Sequence, residues 1–413
     1  MAAQRLQSIA SHITGTREGV DRILEKHPDD VVVTLAFRTP LCKASKGGLK
    51  DTPVDTMLFK VLQHAKERMN MDASLVEEIC LGNVHEGKAA YYCRAAALAA
   101  GFPTTTTAST VNRFCASGLQ AVQAVANQIT TGAIDVGMAI GAESLTFAGP
   151  RLTRPFAQAI LDANQDAADC MNPMGQTSEV VGAEFHITRE EQDAYAAISY
   201  QRAEQAQKAG WFDDEIVPIT VTDKDGKDTT LTKDEGPRWG TTVESLSKVR
   251  PAFPEFGNRS TGGNSSQLTD GAAVVLLMRR SKAQELGQPI LAKFCAATTV
   301  GLSPRIMGVG PSIAIPKLLQ KLHLSMNDVD LIEINEAFAS MAVYCKKELG
   351  IDPDKLNVRG GAIALGHPLG CTGIRQIVTG LSECRRRKAR LLMTSMCVGT
   401  GQGMAGMFVN EVV

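Results

Sequence analysis

The chain has 413 residues, 44% of them hydrophobic and 21% charged, with a formal net charge of −1. That length accommodates about two or three domains and a sizeable core. The near-neutral balance and the lack of a broad basic region argue against nucleic-acid or anionic-membrane binding, and no apolar run is long enough to span a bilayer.

Ten cysteines are scattered along the chain without a C-x-x-C pair, which excludes the usual structural zinc and thioredoxin-like patterns. A chain this long folds without disulfides, so reduced thiols in a reducing compartment are expected, with no metal site.

In chain order, "RLQSIASHI" (5–13) places Leu6, Ile9 and Ile13 on one helical face, with Arg5 and His12 at its ends. It lacks the long apolar core of a secretion signal. Residues 1–29 are read as an N-terminal segment and linker, with ordered structure from about residue 30. "DVVVTLAFRTP" (30–40) predicts a buried strand and "DTPVDTMLFKVLQHAKERM" (51–69) a helix with Pro53 near its start. "EEICLGNV" (77–84) predicts another strand. "VNRFCASGLQAV" (111–122) leads into a helix that is apolar on nearly every face from 116 to 129 and is closed by Gly132. "DVGMAIGAES" (135–144) predicts a buried strand and completes a first unit, 30–144.

Residues 145–268 are richer in proline, charge and turn signals and read as an inserted excursion. Within them, 188–210 open with a capping box, Thr188 with Glu191, and close at Gly210. "DKDGKD" (223–228) predicts an exposed turn. "DGAAVVLLM" (270–278) returns to buried-strand character, so 269–289 rejoin the first unit. The last third, 290–413, repeats that unit in outline. "VDLIEINEAF" (329–338) matches the second strand, "GHPLGCTGIRQIVTGL" (366–381) the cysteine loop and its helix, and "ARLLMTSMCVG" (389–399) the strand at 135–144. The basic run "RRRKAR" (385–390) complements the C-terminal dipole of the second helix. Matching elements in matching order predict a duplicated α/β unit, whose halves would bring both helix-start loops toward one pseudo-twofold axis.

Those loops and strand ends carry the candidate chemistry. Cys115, just before a helix, is either an inert buried thiol or a nucleophile activated by the helix N-terminus. His367, in the glycine-rich "GGAIALGHPLGCTG" (360–373), is either structural or the base for such a thiol. Cys397 ends an apolar strand, where a second thiol can serve as general acid and base. Asn335 in "NEAF" either caps a turn or holds a water or substrate oxygen. "GQGMAG" (401–406) fits G-x-G-x-x-G, but the chain stops at Val413, before the acidic residue a dinucleotide site requires. Those glycines are better explained by close approach to a ligand or a neighbouring strand.

"VNRFCASGLQAV", "NEAF", "GGAIALGHPLGCTG" and "SMCVGTGQG" resemble the four signature blocks of the thiolase family, and the similarity runs from about residue 30 to the C-terminus. Within the family the match is nearest to the peroxisomal 3-ketoacyl-CoA thiolases. The resemblance implies a thiolase fold: two similar α/β halves in a five-layer αβαβα arrangement, with the inserted loop domain over CoA. It implies Cys115 as acyl acceptor, His367 as its base and Cys397 as second acid/base. Asn335 would hold the water of one oxyanion hole, and the N–H groups of Cys115 and Gly399 would form the other. Arg238, Phe253 and Ser266 resemble CoA-contacting positions, with Met174 near the acyl end. Departures are Phe114, where relatives often carry Gln, Gly262, where they often carry Ala, and "GTG" (399–401) for the commoner "GGG".

The implied reaction is thiolysis of a 3-ketoacyl-CoA at the end of fatty-acid β-oxidation. CoA is a substrate and no cofactor is implied. A homodimer or dimer of dimers is implied as well. Residues 5–13 resemble the N-terminal type of peroxisomal targeting signal, Arg-Leu, five residues, His-Leu, with Ile13 in the last place. That implies an import receptor as partner and the peroxisome as location. The alternatives are an acetoacetyl-CoA thiolase working by condensation and a non-catalytic acyl-CoA-binding paralogue.

Overall fold

The computed structural model describes residues 19–149 and 156–412. The segment 5–13 therefore lies outside the described residues. The strands are β1 (Val31–Arg38), β2 (Cys42–Lys43), β3 (Glu78–Gly82), β4 (Thr107–Val111), β5 (Val136–Ser144), β6 (Ile219–Thr222), β7 (Asp228–Leu231), β8 (Thr269–Arg279), β9 (Ala292–Gly301), β10 (Leu331–Ile334), β11 (Leu391–Val398) and β12 (Gln402–Asn410).

Strand pairing shows the duplication directly. The first half runs β1-β8-β5-β3-β4, antiparallel at β1/β8 and β8/β5 and parallel at β5/β3 and β3/β4. The second half runs β9-β12-β11-β10, antiparallel at β9/β12 and β12/β11 and parallel at β11/β10. A parallel bridge from Ile332 to Leu356 stands where the first half has β4. Each half thus has the order first, last, fourth, second, third. Two antiparallel pairs, Val32 with Lys293 and Val33 with Ala292, join the halves edge to edge.

Helices cover both faces, which is why the strands read as unbroken apolar runs rather than alternating ones. In β8, Ala273, Val275 and Leu277 enter the central cluster. Ala272, Val274, Leu276 and Met278 face the outer one with the helices Val54–Arg68 and Ala89–Ala99. The central cluster holds the helices Ser117–Thr131 and Leu369–Arg387 between the two sheets. On the far side, Met393, Ala405 and Met407 pack with Gly310–Leu322 and Cys345 of Ala339–Glu348. The result is five layers, αβαβα. A fully buried aliphatic side chain contributes about 1.5–3 kcal/mol, so the shared central layer binds the halves strongly.

The expected helix ends are found. Gly132 closes Ser117–Thr131 at φ 79°, and Thr188 with Glu191 forms a capping box opening Arg189–Lys208. One expectation is corrected and one is extended. Ordered structure begins before residue 30, because Gly19–Leu24 is helical and Val20, Ile23 and Leu24 pack onto the outer cluster of the second half. The basic run does more than face the helix dipole. Arg386 and Arg387 pair with Glu383, Arg385 pairs with Asp214, and the Arg386 guanidinium lies 3.9 Å from the Trp211 ring centroid. The inserted region from residue 156 mixes helices with long irregular stretches and adds the separate β6–β7 hairpin. It is pinned to β1 by the buried Arg38, whose guanidinium donates to Asp234 at 2.7 and 2.8 Å and to Glu215 at 2.7 Å.

Candidate active site

The cysteine loop is a tight turn fixed by Ser117. The Ser117 hydroxyl accepts from the Arg113 N–H at 2.9 Å and donates to the Phe114 carbonyl at 2.7 Å. Phe114 sits in the left-handed region at φ 46°, its N–H held by Asn112 Oδ1 at 2.9 Å. A non-glycine residue there is strained, and such strain concentrates where a side chain must be aimed. Cys115 follows, half-buried, immediately before the helix Ser117–Thr131.

The histidine loop starts its helix in the same way. Gly366, at φ 110° and ψ 166°, takes a conformation essentially reserved for glycine, and a Cβ there would lie 2.1 Å from Thr269 Oγ1. His367 and Pro368 follow, then the helix Leu369–Arg387. The two helix starts touch: a Cβ on Gly118 would lie 2.7 Å from the Gly370 carbonyl oxygen, and one on Gly373 would lie 2.4 Å from the Leu119 nitrogen. Gly118 is three residues beyond Cys115 and Gly370 three beyond His367, so this contact draws both loops to one place.

The hydrogen bonds of His367 assign its tautomer. Thr372 Oγ1 donates to the Pro368 carbonyl at 3.2 Å, so it accepts from Nδ1–H at 2.6 Å. Nε2 is then the acceptor, 3.2 Å from the Asn335 side-chain amide. Burial, and secondarily the Arg375 cation, lowers the ring pKa to about 3 from 6.5. The imidazole is therefore neutral at physiological pH, with Nε2 unprotonated. Asn335 follows β10, and its N–H donates to the Ser395 carbonyl of β11 at 2.9 Å. Its Oδ1 is buried and has no hydrogen-bond partner among the described residues, so the hydrogen-bond donor of a water or substrate fits it.

Two residues beyond Ser395 on the same strand is Cys397. Its thiol donates to Met341 Sδ at 3.4 Å inside an apolar pocket of Met307, Ala337 and Met341. Burial, and then the neighbouring Cys115, pushes this thiol well above its ordinary range, so it is a proton-carrying group. The β11–β12 hairpin turns through Gly399, Thr400 and Gly401, with φ 68° at Thr400 and 84° at Gly401. A Cβ on Gly399 would lie 3.4 Å from the Phe114 ring, so the hairpin tip meets the cysteine loop. Cys115, His367, Asn335, Cys397 and Gly399 are therefore all gathered at one end of the central helices. The "GQGMAG" glycines serve packing: Gly403 backs onto the backbone of Gly310 and Gly406 onto Leu119.

Met174, Phe253 and Ser266 lie beside this centre. Met174 packs with Phe338 against the Cys397 pocket, and Phe253 meets Phe338 edge-on at 6.2 Å between centroids. The Ser266 N–H donates to the Ala337 carbonyl at 2.9 Å. Arg238 is exposed and lies further out, its guanidinium 5.9 Å from the Tyr200 ring centroid.

Several supporting residues escaped the sequence reading. Glu336 accepts from Ser199 Oγ, Asn357 Nδ2 and the Ile363 N–H at 2.7, 2.8 and 3.1 Å, anchoring the chain that leads to His367. Arg375 pairs with Glu333 at 2.8 Å, both buried. Arg113 donates to Gln120 at 2.6 Å and to Gln402 at 2.8 Å, tying the cysteine loop to the hairpin. The available signal was a charged residue inside an apolar pattern. Its partner lies far away in sequence, 289 residues for Arg113 and Gln402.

Comparison with known proteins agrees with this architecture. Residues 31–281 match the thiolase N-terminal domain and 288–410 the thiolase C-terminal domain. A peroxisomal 3-ketoacyl-CoA thiolase of Yarrowia lipolytica is 47% identical, over 98% of this chain and 100% of the relative. The crystal structure of the dimeric peroxisomal thiolase of Saccharomyces cerevisiae superposes with a TM-score of 0.89 at 46% identity, covering 95% of this chain and 100% of that one. Human mitochondrial 3-ketoacyl-CoA thiolase in complex with CoA superposes at 0.82 with 34% identity, over 92% and 98% of the chains. The chain, with its duplicated halves and its cysteine and histidine loops meeting at one end of the central layer, belongs to the thiolase family.

Proposed function

We propose that this chain is a 3-ketoacyl-CoA thiolase, an acyltransferase. It cleaves a 3-ketoacyl-CoA with CoA to give acetyl-CoA and a shortened acyl-CoA, the last step of fatty-acid β-oxidation. The observation that carries the reading is the meeting of Cys115 and His367 at touching helix starts, with Asn335 and Cys397 at adjacent strand ends.

Neutral His367 takes the Cys115 proton, and the thiolate attacks the 3-keto carbon. The C2–C3 bond breaks, leaving acyl-Cys115 and the enolate of acetyl-CoA. Cys397, still carrying its proton, protonates the enolate carbon. Its thiolate then deprotonates incoming CoA, which attacks the acyl thioester, and Cys115 leaves as a thiolate that takes back the proton held by His367. Two oxyanions need preorganised donors: His367 with a water on Asn335 for one, the N–H groups of Cys115 and Gly399 for the other. Each such donor is worth about 2.7–4 kcal/mol in the transition state. The mechanism is ping-pong covalent catalysis with CoA as substrate.

Met174, Phe253, Ser266 and Arg238 are assigned to the CoA and acyl path. The inserted region 145–268 is assigned to covering CoA, between a first half of 30–144 with 269–289 and a second of 290–413. β4, a sheet edge with half-exposed residues, suits pairing with a second copy, and a homodimer is expected by equilibrium sedimentation. Residues 5–13 are assigned to peroxisomal import within the N-terminal segment 1–29, and a fluorescent fusion of residues 1–20 that stays cytosolic would refute that assignment. The reaction itself is tested by mixing the protein with a 3-ketoacyl-CoA in the absence of CoA. Mass spectrometry is expected to find an acyl adduct on Cys115 that C115A abolishes. No adduct on the wild-type chain would favour a non-catalytic binder.

A further inference from the structure

The two halves can be matched residue by residue through their parallel strand pairs. In the first half, Gly82 of β3 pairs with Gly141 of β5; Asn83 follows the first and Glu143 lies two beyond the second. In the second half, Ile334 of β10 pairs with Ser395 of β11; Asn335 follows the first and Cys397 lies two beyond the second. Asn83 is therefore the counterpart of Asn335, Glu143 of Cys397, and the Cys115 loop of the His367 loop. Both loops and the second-half residues Asn335 and Cys397 are assigned to the chemistry above, whereas their first-half counterparts Asn83 and Glu143 form a buried polar couple with no role in that reaction.

Glu143 is 1% exposed. Its Oε1 accepts from the His85 N–H at 3.0 Å and from Asn83 Nδ2 at 3.4 Å. Its Oε2 accepts from the Val84 N–H at 3.0 Å and, across the halves, from the Gly370 N–H at 2.9 Å. Gly370 is in the first turn of the helix Leu369–Arg387, whose N-cap is Pro368 and receives no side-chain cap. The opening N–H groups of a helix need an acceptor. Cys371 and Thr372 donate back to the Pro368 carbonyl at 2.8 and 3.1 Å. Glu143 supplies the acceptor for Gly370 from 227 residues away. Space enforces the grip, since a Cβ on Gly370 would lie 2.5 Å from the Gly82 carbonyl oxygen.

We propose that Glu143 is a positioning residue for His367. Clamped to the Val84 and His85 amides of the first half, it holds the first turn of the histidine helix by Gly370 and so fixes the imidazole against Cys115. The acid/base position of one half is reused in the other as the remote cap that registers the two. This rests on the thiolase reading for what His367 does, while the clamp itself is geometric.

The test uses the full-length protein with Glu143→Gln and Glu143→Asp. Gln keeps one acceptor oxygen and turns an amide N–H₂ toward a site filled with donors. Asp keeps both oxygens on a shorter arm. E143Q is expected to remain folded by circular dichroism. Its kcat for thiolysis should fall about 10- to 100-fold while KM for both substrates changes less than about threefold, the pattern of lost orientation rather than lost binding. Alkylation of Cys115 by iodoacetamide should slow about tenfold, because thiolate formation depends on a well-placed base. E143D should recover part of both losses. Wild-type kcat and alkylation in E143Q would overturn the proposal, as would a raised KM at unchanged kcat, or an E143D no better than E143Q. If E143Q does not fold, E143D decides: a folded E143D with wild-type kcat and alkylation overturns it. Failure of both to fold also counts against it, because a positioning role is separable from the scaffold. A wild-type chain that forms no Cys115 adduct sinks the thiolase reading instead, so the two failures are distinguishable.

Discussion

The side-chain amide of Asn335 lies 3.2 Å from Nε2 of His367, two residues that follow β10 and precede the last long helix. Its Oδ1 is a buried acceptor with no partner among the described residues. Asn335→Ala removes both the amide donor and that acceptor without adding bulk. The expected result is a fall in kcat of about 10²–10³, the usual effect of losing one oxyanion-hole donor. KM should change far less. Steady-state thiolysis checks this, and an N335A enzyme within threefold of wild type would place Asn335 outside the reacting centre.

Cys397 and Cys115 have separable roles. The raised pKa of Cys397 keeps its proton in place until an enolate or CoA demands an exchange. Cys397→Ala should therefore leave Cys115 open to alkylation by iodoacetamide while thiolysis drops about 10²–10⁴-fold, the range for loss of a general acid. Peptide mapping after alkylation, beside a turnover assay, reads both at once. Equal loss of both would mean that C397A had disturbed the Cys115 loop instead.

The scaffold of this site is legible in the chain where the cause is local. Gly132 and the Thr188–Glu191 capping box act within a turn of their own helices, and both mark helix ends. Strands buried on both faces, such as β8, announce themselves as continuous apolar runs. The repeated order of strand, helix-start loop and strand exposes the duplication and directs attention to Cys115, His367, Cys397 and Asn335. What stays hidden is whatever needs a distant partner. The C-half equivalent of β4 has shrunk to one bridge at Leu356, too short for any periodicity. Glu143, next to last in the strand "VGMAIGAES", carries no local signal of its role, because its donors, His85 and Gly370, belong to other elements. Gly19–Leu24 reads as linker in the sequence because six residues show no helical stripe until Ile23 meets the outer cluster.

Gly366 fixes the approach to His367 twice over. Its backbone, φ 110° and ψ 166°, is closed to other residues, and its α-carbon faces Thr269 at a distance that leaves no room for a methyl group. Gly366→Ala adds backbone strain of about 1–3 kcal/mol and overpacking of about 1–3 kcal/mol. A loss of about 2–6 kcal/mol in urea unfolding is expected, with thiolysis impaired under conditions where the variant is still folded. The double variant Gly366→Ala with Thr269→Ala removes the facing hydroxyl and methyl group, including the Oγ1 that would lie 2.1 Å from the new Cβ. Recovery of only part of the loss would separate the steric share from the backbone share, and a G366A chain as stable as wild type would contradict both.

Acid should weaken the fold through His367 before it does so through Glu383. Burial, with the Arg375 cation, lowers the His367 pKa to about 3, whereas an unfolded chain binds the proton near 6.5. Between those values the unfolded state holds one more proton, so stability falls as pH drops below 6.5 by about 1.4 kcal/mol per pH unit. Glu383 moves the same way in a lower window. Its burial disfavours the charge, but hydrogen bonds from Arg386 and Arg359 prevail and set the carboxyl at about 2 against an ordinary 4.5. Its contribution is present above 4.5 and is lost as pH falls toward 2. His367→Gln cannot take up a proton in either state. Its stability relative to wild type should therefore rise by about 2 kcal/mol between pH 7 and pH 5. The Glu383→Gln difference should stay level over that interval and change only below about pH 4.5. Urea midpoints at pH 7, 6 and 5 for the three proteins measure this, and a flat H367Q difference would mean that the ring titrates near its ordinary value and is not held neutral by its surroundings.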